Sequence, residues 1–258
     1  MNIGFVGFGK MAEAIVLSLV KNKIQASQLF VSDKNSDRQA LAKELSLNVL
    51  ETNKEVSDSC EITFLCVKPQ DMKEVLEELS DNGIFLSIAA GIKLSSLQKK
   101  LEKAARIMPN APLMVNEGMS AIVFSENFSQ EEKDQVKGLL ECSGKVIELD
   151  EKKFDAVTAL SGSGPAFFAL FISQLAKAAQ EQGLSEKEAL LLAEQTCLGT
   201  AKLLIEKNMT PEELISMVAS KGGTTEAGLK VLDSPEFKEI VIETVKKAAQ
   251  KSKELGEE

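Results

Sequence analysis

A glycine-rich turn near the start of the chain has the residue types that bind a dinucleotide. The apolar stretch at residues 2–6 runs directly into a G-x-G-x-x-A motif formed by Gly7, Gly9 and Ala12. The first glycine permits a tight turn, the second lets the backbone approach a pyrophosphate, and the alanine allows close packing of helix on strand. Unpaired N–H groups at the start of the following helix, with its positive dipole end, then hold the phosphates.

A carboxylate at the end of the next predicted strand supports the same interpretation. The apolar strand at residues 29–33 ends at Asp33, about twenty residues after the motif, where an acidic side chain accepts a hydrogen bond from a ribose. A turn of small residues also occurs for packing alone, so the motif by itself is weakly specific. The order of strand, helix and carboxylate favours a dinucleotide site.

The absence of three residue types restricts the catalytic chemistry. The sequence contains no His, Tyr or Trp, which excludes a Ser-His-Asp triad, a His-ligated zinc site and a Tyr-Lys proton relay. A protein proton donor must therefore be a carboxyl, a lysine or a hydroxyl group, unless water supplies the proton. We predict no metal site.

Composition and charge agree with a soluble enzyme. The formal net charge of −9 at pH 7 argues against nucleic acid or an anionic membrane as a partner. The richest apolar run, residues 166–172, ends at Ser173 and Gln174, so we expect no membrane span. Four cysteines without a C-x-x-C pair are typical of reduced core thiols, and we expect a cytoplasmic protein.

The order of predicted elements indicates an α/β protein with two domains. Strands are predicted at residues 2–6, 29–33, 61–67, 84–89, 119–124 and 145–149. Helical patterns separate the first four, which is typical of a doubly wound, Rossmann-type parallel sheet. Helices are predicted at 151–182, 185–207, 211–218, 222–233 and 235–255, with no strand pattern between them. We therefore predict a dinucleotide-binding Rossmann domain over 1–150 and an all-α domain over 151–258.

The predicted helix at residues 165–182 is apolar on most of its faces. A helix of this kind in a small domain indicates a subunit interface as well as a core. A central helix of a monomeric bundle is the alternative. We expect an obligate dimer built on the C-terminal half of the chain.

Five further loops contain candidate ligand-binding residues. Ligands of such sheets bind beyond the carboxyl ends of the strands, where residues 67–69, 89–91 and 109–112 lie. The two alanines of the second loop let a flat nicotinamide ring lie against the backbone, although tight packing explains them equally well. Residues 161–165 and 220–226 place glycines and hydroxyls at helix starts. Such turns suit a carboxylate or phosphate, with simple N-capping as the alternative.

Six blocks of the sequence follow one another in a characteristic order and spacing. They lie at residues 4–12, 67–69, 89–91, 106–110, 155–166 and 220–225. Together they resemble pyrroline-5-carboxylate reductase, the enzyme of the last step of proline synthesis, over nearly the whole chain. The blocks at 155–166 and 220–225 are highly specific, whereas the first is shared with many dehydrogenases.

The resemblance implies a fold, an assembly and a reaction. It implies an N-terminal Rossmann domain and a helical substrate domain that dimerises through interlocking long helices, with larger rings of dimers in some members. It also implies hydride transfer from NADPH or NADH to the C=N carbon of 1-pyrroline-5-carboxylate, which gives L-proline.

The resemblance also implies the site residues. The cofactor phosphates fall on Gly7, Phe8, Gly9, Lys10 and Met11. The adenosine end falls on Asp33, Lys34 and Asn53, and the nicotinamide end on Val67, Lys68, Pro69, Ala89 and Ala90. Substrate contacts fall on Glu151, Ser161, Ser163, Gly223, Thr224 and Thr225. The hydroxyl of Thr225 matches the group placed near the imine nitrogen, so Thr225 is the predicted catalytic residue.

Three residues depart from the family pattern. Lys221 stands where many relatives have proline, and Phe167 where many have tyrosine; neither change removes a group assigned to catalysis. Asp33 stands where relatives often carry Ser or Asn beside the 2′-phosphate. A carboxylate there repels that phosphate and favours NADH, whereas Lys34 and Arg38 favour NADPH. The sequence leaves the cofactor preference open.

Two other functions fit part of the pattern. A β-hydroxyacid dehydrogenase shares the two-domain plan but needs a catalytic lysine about one helical turn after its glycine motif. Here the first lysine after residues 161–165 is Lys177, which argues against that class. A nucleotide-sensing regulator would keep the first motif but has no need of the blocks at 161–165 and 220–225.

Overall fold

The computed structural model describes residues 1–256, which divide into two compact units. The first unit comprises Met1–Ser163 and the described residues from Lys247 onward, and the second comprises Gly164–Lys246. The division falls inside the helical run that begins at Glu151. The predicted domain boundary near residue 150 stays a prediction.

An eight-stranded sheet forms the centre of the first unit. Its strands are β1 (Ile3–Val6), β2 (Leu29–Ser32), β3 (Asn48–Val49), β4 (Ile62–Leu65), β5 (Ile84–Ser87), β6 (Lys103–Met108), β7 (Gly118–Phe124) and β8 (Gly144–Glu148). The spatial order is β3-β2-β1-β4-β5-β6-β7-β8. The strand order therefore reverses between β1 and β4, which is where ligands bind in doubly wound sheets.

Hydrophobic side chains cover both faces of this sheet. Along β1, Ile3 and Phe5 belong to one buried cluster and Val6 to another, as expected for a strand whose side chains alternate between two buried faces. Phe5 lies directly opposite Phe64 of β4, and the two rings stack with centroids 5.0 Å apart. The core therefore holds together the two strands beside the strand-order reversal.

Six helices connect the strands of the first unit. They are α1 (Lys10–Lys21), α2 (Ser36–Glu44), α3 (Asn53–Ser59), α4 (Met72–Glu78), α5 (Leu94–Leu97) and α6 (Gln130–Glu141). Local capping explains where some begin: the Thr52 hydroxyl accepts from the Glu55 N–H, and the Glu55 carboxylate accepts from the Thr52 N–H. This capping box starts α3, and Ser129 with Glu132 starts α6 in the same way.

The sheet contains the predicted strands and two that were not predicted. The six predicted strands are confirmed with small shifts at their ends, but β3 and β6 were not predicted. In addition, β6 and β7 pair antiparallel, with Ala105 opposite Phe124, whereas the other neighbouring strands are parallel. The parallel pairing predicted for the first four predicted strands is confirmed in β1, β2, β4 and β5, and the antiparallel pair lies outside them.

The rest of the described chain is helical, as predicted. The elements are α7 (Phe154–Val157), α8 (Gly164–Glu181), α9 (Glu186–Lys207), α10 (Pro211–Val218), α11 (Thr224–Leu232) and α12 (Pro235–Leu255). A π-helical turn, Thr158–Gly162, lies between α7 and α8. The breaks follow residues that favour them: Gly183 has φ of +100°, Asn208 caps α9 in the left-handed conformation, and Pro211 begins α10.

The second unit exposes many large apolar side chains. Each of the following is at least 64% exposed: Leu191, Ile205, Val231, Ile240 and Ile242. The helical run Glu151–Glu181 is also long and apolar enough to cross a membrane by length and composition, with a mean hydropathy of 1.5 and 11% of its 18-residue window buried. We expected no such segment because residues 166–172 are followed by polar residues. The mean hydropathy of an 18-residue window in this run is nevertheless high enough to meet the criterion.

Candidate active site

The glycine turn after β1 leaves open space in front of helix α1. Gly7 has φ of +86°, and a Cβ there would lie 3.0 Å from the backbone carbonyl of Cys66, so the fold itself requires glycine. At Gly9, the N-cap of α1, an added Cβ would meet nothing within 4 Å. Packing therefore does not explain Gly9, whereas close approach of a pyrophosphate to the helix end does.

Two of the predicted phosphate-binding residues lie in the first turn of α1. The first hydrogen bond of the helix runs from the Glu13 N–H to the Gly9 carbonyl at 2.9 Å. The N–H groups of Lys10 and Met11 precede this bond and have no partner within the helix. They are the donors that a bound phosphate would meet.

Both polar backbone groups of Phe8 form hydrogen bonds with side chains. Its N–H donates to Asp33 Oδ2 at 2.5 Å, and its carbonyl accepts from Arg38 Nε at 2.6 Å. The other Asp33 oxygen accepts from the Asn35 N–H at 2.8 Å, and the Arg38 guanidinium pairs with Glu13 at 3.1 Å. Asp33 and Arg38 therefore hold the glycine turn, and the Phe8 N–H is already used.

The three residues predicted for the adenosine end line one cavity of about 550 Å³. Its walls are Ser32, Asp33, Lys34, Gln39, Glu51, Thr52, Asn53, Lys54 and Glu78. The Ser32 hydroxyl donates to Asn53 Oδ1 at 2.7 Å, and Asn53 Nδ2 donates to Glu78 Oε2 at 2.6 Å. The cavity adjoins the carboxyl end of β2 and the start of α3, as an adenosine site at this point of the fold requires.

Carboxylates outnumber free cations around this cavity. Asp33, Glu51 and Glu78 line it. The two lysines that line it are paired elsewhere: Lys34 with Glu74 at 3.4 Å, and Lys54 with Asp58 at 2.6 Å. The charge around the cavity therefore suits a neutral ribose diol better than a phosphate.

The residues predicted for the nicotinamide end follow β4 and β5. The Val67 side chain lies 3.0 Å from the position of a Cβ on Gly7, so the loops after β1 and β4 touch. Lys68 is exposed, Ala89 is buried, and Ala90 and Pro69 line a cavity of about 990 Å³. The structure thus brings these residues to the same end of the sheet as the glycine turn.

The described end of the chain lies against the loop after β5. Gly91 has φ of +78°, and a Cβ there would lie 2.9 Å from the Leu255 carbonyl oxygen. The Ser252 hydroxyl donates to Asp155 Oδ1 at 2.8 Å. The C-terminal turn of α12 therefore forms part of the wall beside Ala90.

Glu151, a predicted substrate contact, is held by two donors of the first unit. Its Oε1 accepts from the Leu94 N–H at 2.7 Å and from Arg106 at 3.0 Å. The Arg106 side chain is only 8% exposed, and its guanidinium lies 4.8 Å from the centroid of the Phe154 ring. One Glu151 oxygen is therefore occupied, and a contact with substrate would use Oε2.

The serines of the 161–165 block lie at the π-helical turn. The Ser163 N–H donates to the Thr158 carbonyl at 2.8 Å. Ser161 Oγ lies 3.3 Å from Asn110 Nδ2, so the end of β6 contacts this turn. Asn110 belongs to a family block and to the loop 109–112 predicted at the ligand-binding end of the sheet, but no role was predicted for its side chain. A π-helical turn is frequent at functional sites, which agrees with a functional interpretation of this block.

The 220–225 block forms a turn at the start of α11 in the second unit. Gly222 has φ of +76°, and its N–H donates to Glu226 Oε2 at 2.8 Å. Gly223 is the N-cap of α11, and its N–H donates to the Ser220 carbonyl at 3.0 Å. The first two helical residues, Thr224 and Thr225, keep N–H groups without helical partners. The predicted substrate residues are thus divided between the two units.

Comparisons with known proteins cover both halves of the chain. A family model described as pyrroline-5-carboxylate reductase dimerisation matches residues 151–255, and one described as NADP oxidoreductase coenzyme F420-dependent matches residues 2–91. A pyrroline-5-carboxylate reductase from Aquifex aeolicus (strain VF5) is 41% identical over 259 residues, which cover 99% of this chain and 97% of the relative.

Solved structures agree with these matches. A pyrroline-5-carboxylate reductase from Coxiella burnetii matches with a TM-score of 0.92 and 32% identity over 98% of both chains. A Plasmodium falciparum pyrroline carboxylate reductase with NADP bound matches with a TM-score of 0.88 and 30% identity, over 99% of this chain and 98% of that one. The chain belongs to the pyrroline-5-carboxylate reductase family.

The family membership establishes the reaction. As a pyrroline-5-carboxylate reductase, the chain reduces 1-pyrroline-5-carboxylate to L-proline with NAD(P)H as the hydride donor, in proline biosynthesis. The Rossmann-type first half and helical second half predicted from the sequence are confirmed. The individual site residues stay predictions.

The match to a dimerisation model explains the exposed apolar surface of the second unit. The matched residues, 151–255, include the exposed apolar side chains described above. A surface of this kind in one copy is what a second copy covers in an obligate dimer. The reductase therefore contains a dimerisation domain, which supports a homodimer.

The cysteines of the reductase are free thiols. Burial raises the pKa of Cys60 to about 12, and burial also raises the pKa of Cys66. Both thiols therefore stay protonated at neutral pH, where only the thiolate is a strong nucleophile. They serve as small apolar core residues.

Proposed function

We propose that the chain carries out this reduction with NAD(P)H held by the glycine turn after β1 and with the Thr225 hydroxyl bonded to the imine nitrogen. The observation that carries the proposal is the open helix end at Gly9, beside the reversal of strand order between β1 and β4. Open space at that point has no packing function and suits a pyrophosphate.

The proposed cofactor site runs along the carboxyl ends of β2, β1, β4 and β5. The pyrophosphate lies on the N–H groups of Lys10 and Met11, and the adenosine ribose lies in the cavity lined by Asp33. The nicotinamide lies against the loops after β4 and β5, which reach the same end of the sheet. The excess of carboxylates around the ribose cavity favours NADH over NADPH.

The proposed role of Thr225 follows from what the reaction needs. Hydride transfer to the carbon of a C=N bond leaves an amine, so the nitrogen has to be protonated before or during transfer. Cyclic imines of this type are basic enough to be protonated near neutral pH, so a strong protein acid is not required. Thr225 then acts as a hydrogen-bonding and proton-relay group, and the site mainly positions the ring.

The substrate carboxylate is proposed to bind hydrogen-bond donors at helix starts. In the second unit the proposed donors are the N–H groups of Thr224 and Thr225, which have no acceptor within the helix. The Glu226 carboxylate accepts from the Gly222 N–H and pairs with Lys230. In the first unit the proposed contacts are Ser161, Ser163 and Glu151. Lys221 adds an exposed positive charge next to the glycine turn of the second unit.

The proposed assembly is a homodimer in the cytoplasm. A second copy, rather than a lipid bilayer, covers the apolar helices, since the family model for this region describes dimerisation. The net charge of −9 disfavours nucleic acid, and free thiols suit a reducing compartment. A larger ring of dimers is a further part of this proposal.

A direct assay tests the proposed function. Purified protein should oxidise NADH or NADPH only when 1-pyrroline-5-carboxylate is added, and L-proline should accumulate in equal amount. The controls are a 2-keto acid and a 2-hydroxy acid at the same concentration. Turnover of either control without turnover of the cyclic imine would overturn the proposal.

A further inference from the structure

The side-chain amide of Asn110 bridges two parts of the first unit. Asn110 follows β6, and its Oδ1 accepts from the Met119 N–H of β7 at 2.8 Å. Its Nδ2 lies 3.3 Å from Ser161 Oγ. A backbone N–H can only donate, so the atom that faces Met119 has to be the amide oxygen. This contact fixes the orientation of the Asn110 amide, and the NH₂ group faces Ser161.

The orientation of this amide determines how the Ser161 hydroxyl can bond. An NH₂ group only donates, so Ser161 Oγ has to accept from Asn110 and its own proton points elsewhere. Among residues 1–256 no group accepts a hydrogen bond from the Ser161 hydroxyl. Ser161 is half-buried in the π-helical turn. The Ser161 hydroxyl can therefore donate a hydrogen bond to a bound ligand.

We propose that Asn110 is a positioning residue that makes the Ser161 hydroxyl a one-way donor to the carboxylate of 1-pyrroline-5-carboxylate. This inference rests on the proposed function. A carboxylate only accepts hydrogen bonds, so a hydroxyl whose proton is directed outward matches it. A nicotinamide carboxamide both donates and accepts, and it would bond to Ser161 in either direction. A fixed direction is therefore useful for the substrate and not for the cofactor.

The contact between Asn110 and Met119 also ties β6 to β7, so loss of Asn110 affects structure as well. The Asn110→Asp substitution separates the two effects. It keeps an oxygen for Met119 but places a second oxygen opposite Ser161. The Ser161 hydroxyl then donates to that carboxylate and turns its lone pairs towards the substrate. The substitution also adds a negative charge, whose effect the Ser161→Ala background measures alone.

The experiment is a double-mutant cycle of Asn110→Asp and Ser161→Ala, with KM for 1-pyrroline-5-carboxylate as the main readout. Ser161→Ala should raise KM by about 10- to 100-fold, as expected for loss of a hydrogen bond to a charged group. Asn110→Asp should raise KM at least as much in the wild-type background. In the Ser161→Ala background it should add less than about 5-fold, the contribution of the charge alone.

Further measurements make the result specific. The dissociation constant of NADPH should stay unchanged in all variants, and kcat should change less than KM. Asn127→Asp, the same substitution at an exposed residue of the first unit, is the matched control and should leave KM unchanged. If Asn110→Asp does not fold, Asn110→Ala replaces it; it lets the hydroxyl rotate and should raise KM by about 3- to 10-fold, again only when Ser161 is present.

Two outcomes would overturn the proposal. One is the same increase in KM with and without the Ser161 hydroxyl, which would make Asn110 a structural residue. The other is weaker binding of NADPH instead of a higher KM for the imine, which would assign Ser161 to the cofactor. Failure of the proposed function is distinct, because the wild-type protein would then not turn over 1-pyrroline-5-carboxylate.

Discussion

The Asp33→Ser substitution tests how the reductase distinguishes NADH from NADPH. Asp33 lines the cavity proposed for the adenosine ribose and also accepts hydrogen bonds from Phe8 and Asn35. Removing its carboxylate therefore has two effects. It loosens the glycine turn, which weakens binding of both cofactors, and it removes a negative charge beside the 2′-position, which affects only NADPH.

The ratio of kcat/KM for NADPH to kcat/KM for NADH isolates the second effect. A carboxylate about 5 Å from a doubly charged phosphate, in a medium as polar as water, is repelled by about 1–2 kcal/mol. Loss of that repulsion should raise the ratio by about 5- to 30-fold. The loss of the Phe8 hydrogen bond weakens binding of the two cofactors equally, so it cancels in the ratio.

Steady-state assays with each cofactor at saturating 1-pyrroline-5-carboxylate measure this ratio. High salt should reduce the gain, because screening shortens the range of the repulsion. Asp37→Ser is the matched control, since Asp37 is exposed in the first turn of α2 and does not line the cavity. An unchanged ratio in Asp33→Ser would show that the Asp33 carboxylate does not face the 2′-position.

The remaining predictions concern catalysis, stability, assembly and thiol chemistry. Thr225→Ala should lower kcat/KM for the imine by roughly 10- to 1,000-fold without changing the dissociation constant of NADPH; wild-type kcat/KM would remove Thr225 from the mechanism. Arg106→Met should lower the free energy of unfolding in urea by about 2–4 kcal/mol, because the Glu151 carboxylate loses its buried cation. A loss below about 0.5 kcal/mol would contradict that. Light scattering should show a dimer or a larger assembly at every protein concentration at which the enzyme is active, and an active monomer would refute the obligate dimer. Cys60 and Cys66 should resist a thiol reagent at about pH 8 until the protein is unfolded, because burial raises the pKa of both; fast reaction of either in the native protein would contradict their burial.

The elements with strong local patterns could be predicted from the sequence. Short apolar strands, such as β1 and β4, stand out against the charged helices around them, and capping residues such as Ser185 before α9 mark helix starts. The glycine turn was predictable for the same reason: its residue types and their spacing are local. The helices of the second unit could be predicted because their breaks fall at glycine, asparagine and proline, and the structure confirms them.

The strand β6 could not be predicted because its sequence is not typical of a strand. Lys103–Met108 contains two alanines and two basic residues, and only its place between β5 and β7 makes it extended. The neighbouring strands β5 and β7 supply its hydrogen bonds. Arg106 can be buried because its guanidinium pairs with Glu151 and lies over the Phe154 ring. A strand that is stabilised by residues distant in sequence has no local sequence pattern from which it could be predicted.

The contacts of the candidate site could not be predicted from the sequence for a similar reason. Asn110 and Ser161 are 51 residues apart in sequence, and Arg106 and Glu151 are 45 apart. Residue types alone do not show that these side chains meet. The family resemblance places Glu151 with the substrate, and the structure adds that one of its oxygens is already bonded within the first unit.

The position of the last turn of α12 has a consequence for the order of events during synthesis. A ribosome makes the Rossmann-type sheet before the helices of the second unit, and Leu255 after both. Yet Leu255 lies against Gly91, and Ser252 bonds to Asp155, both in the unit that was begun first. The cofactor-binding half can therefore begin to fold early, but the wall beside Ala90 stays incomplete until the second unit and Leu255 have emerged.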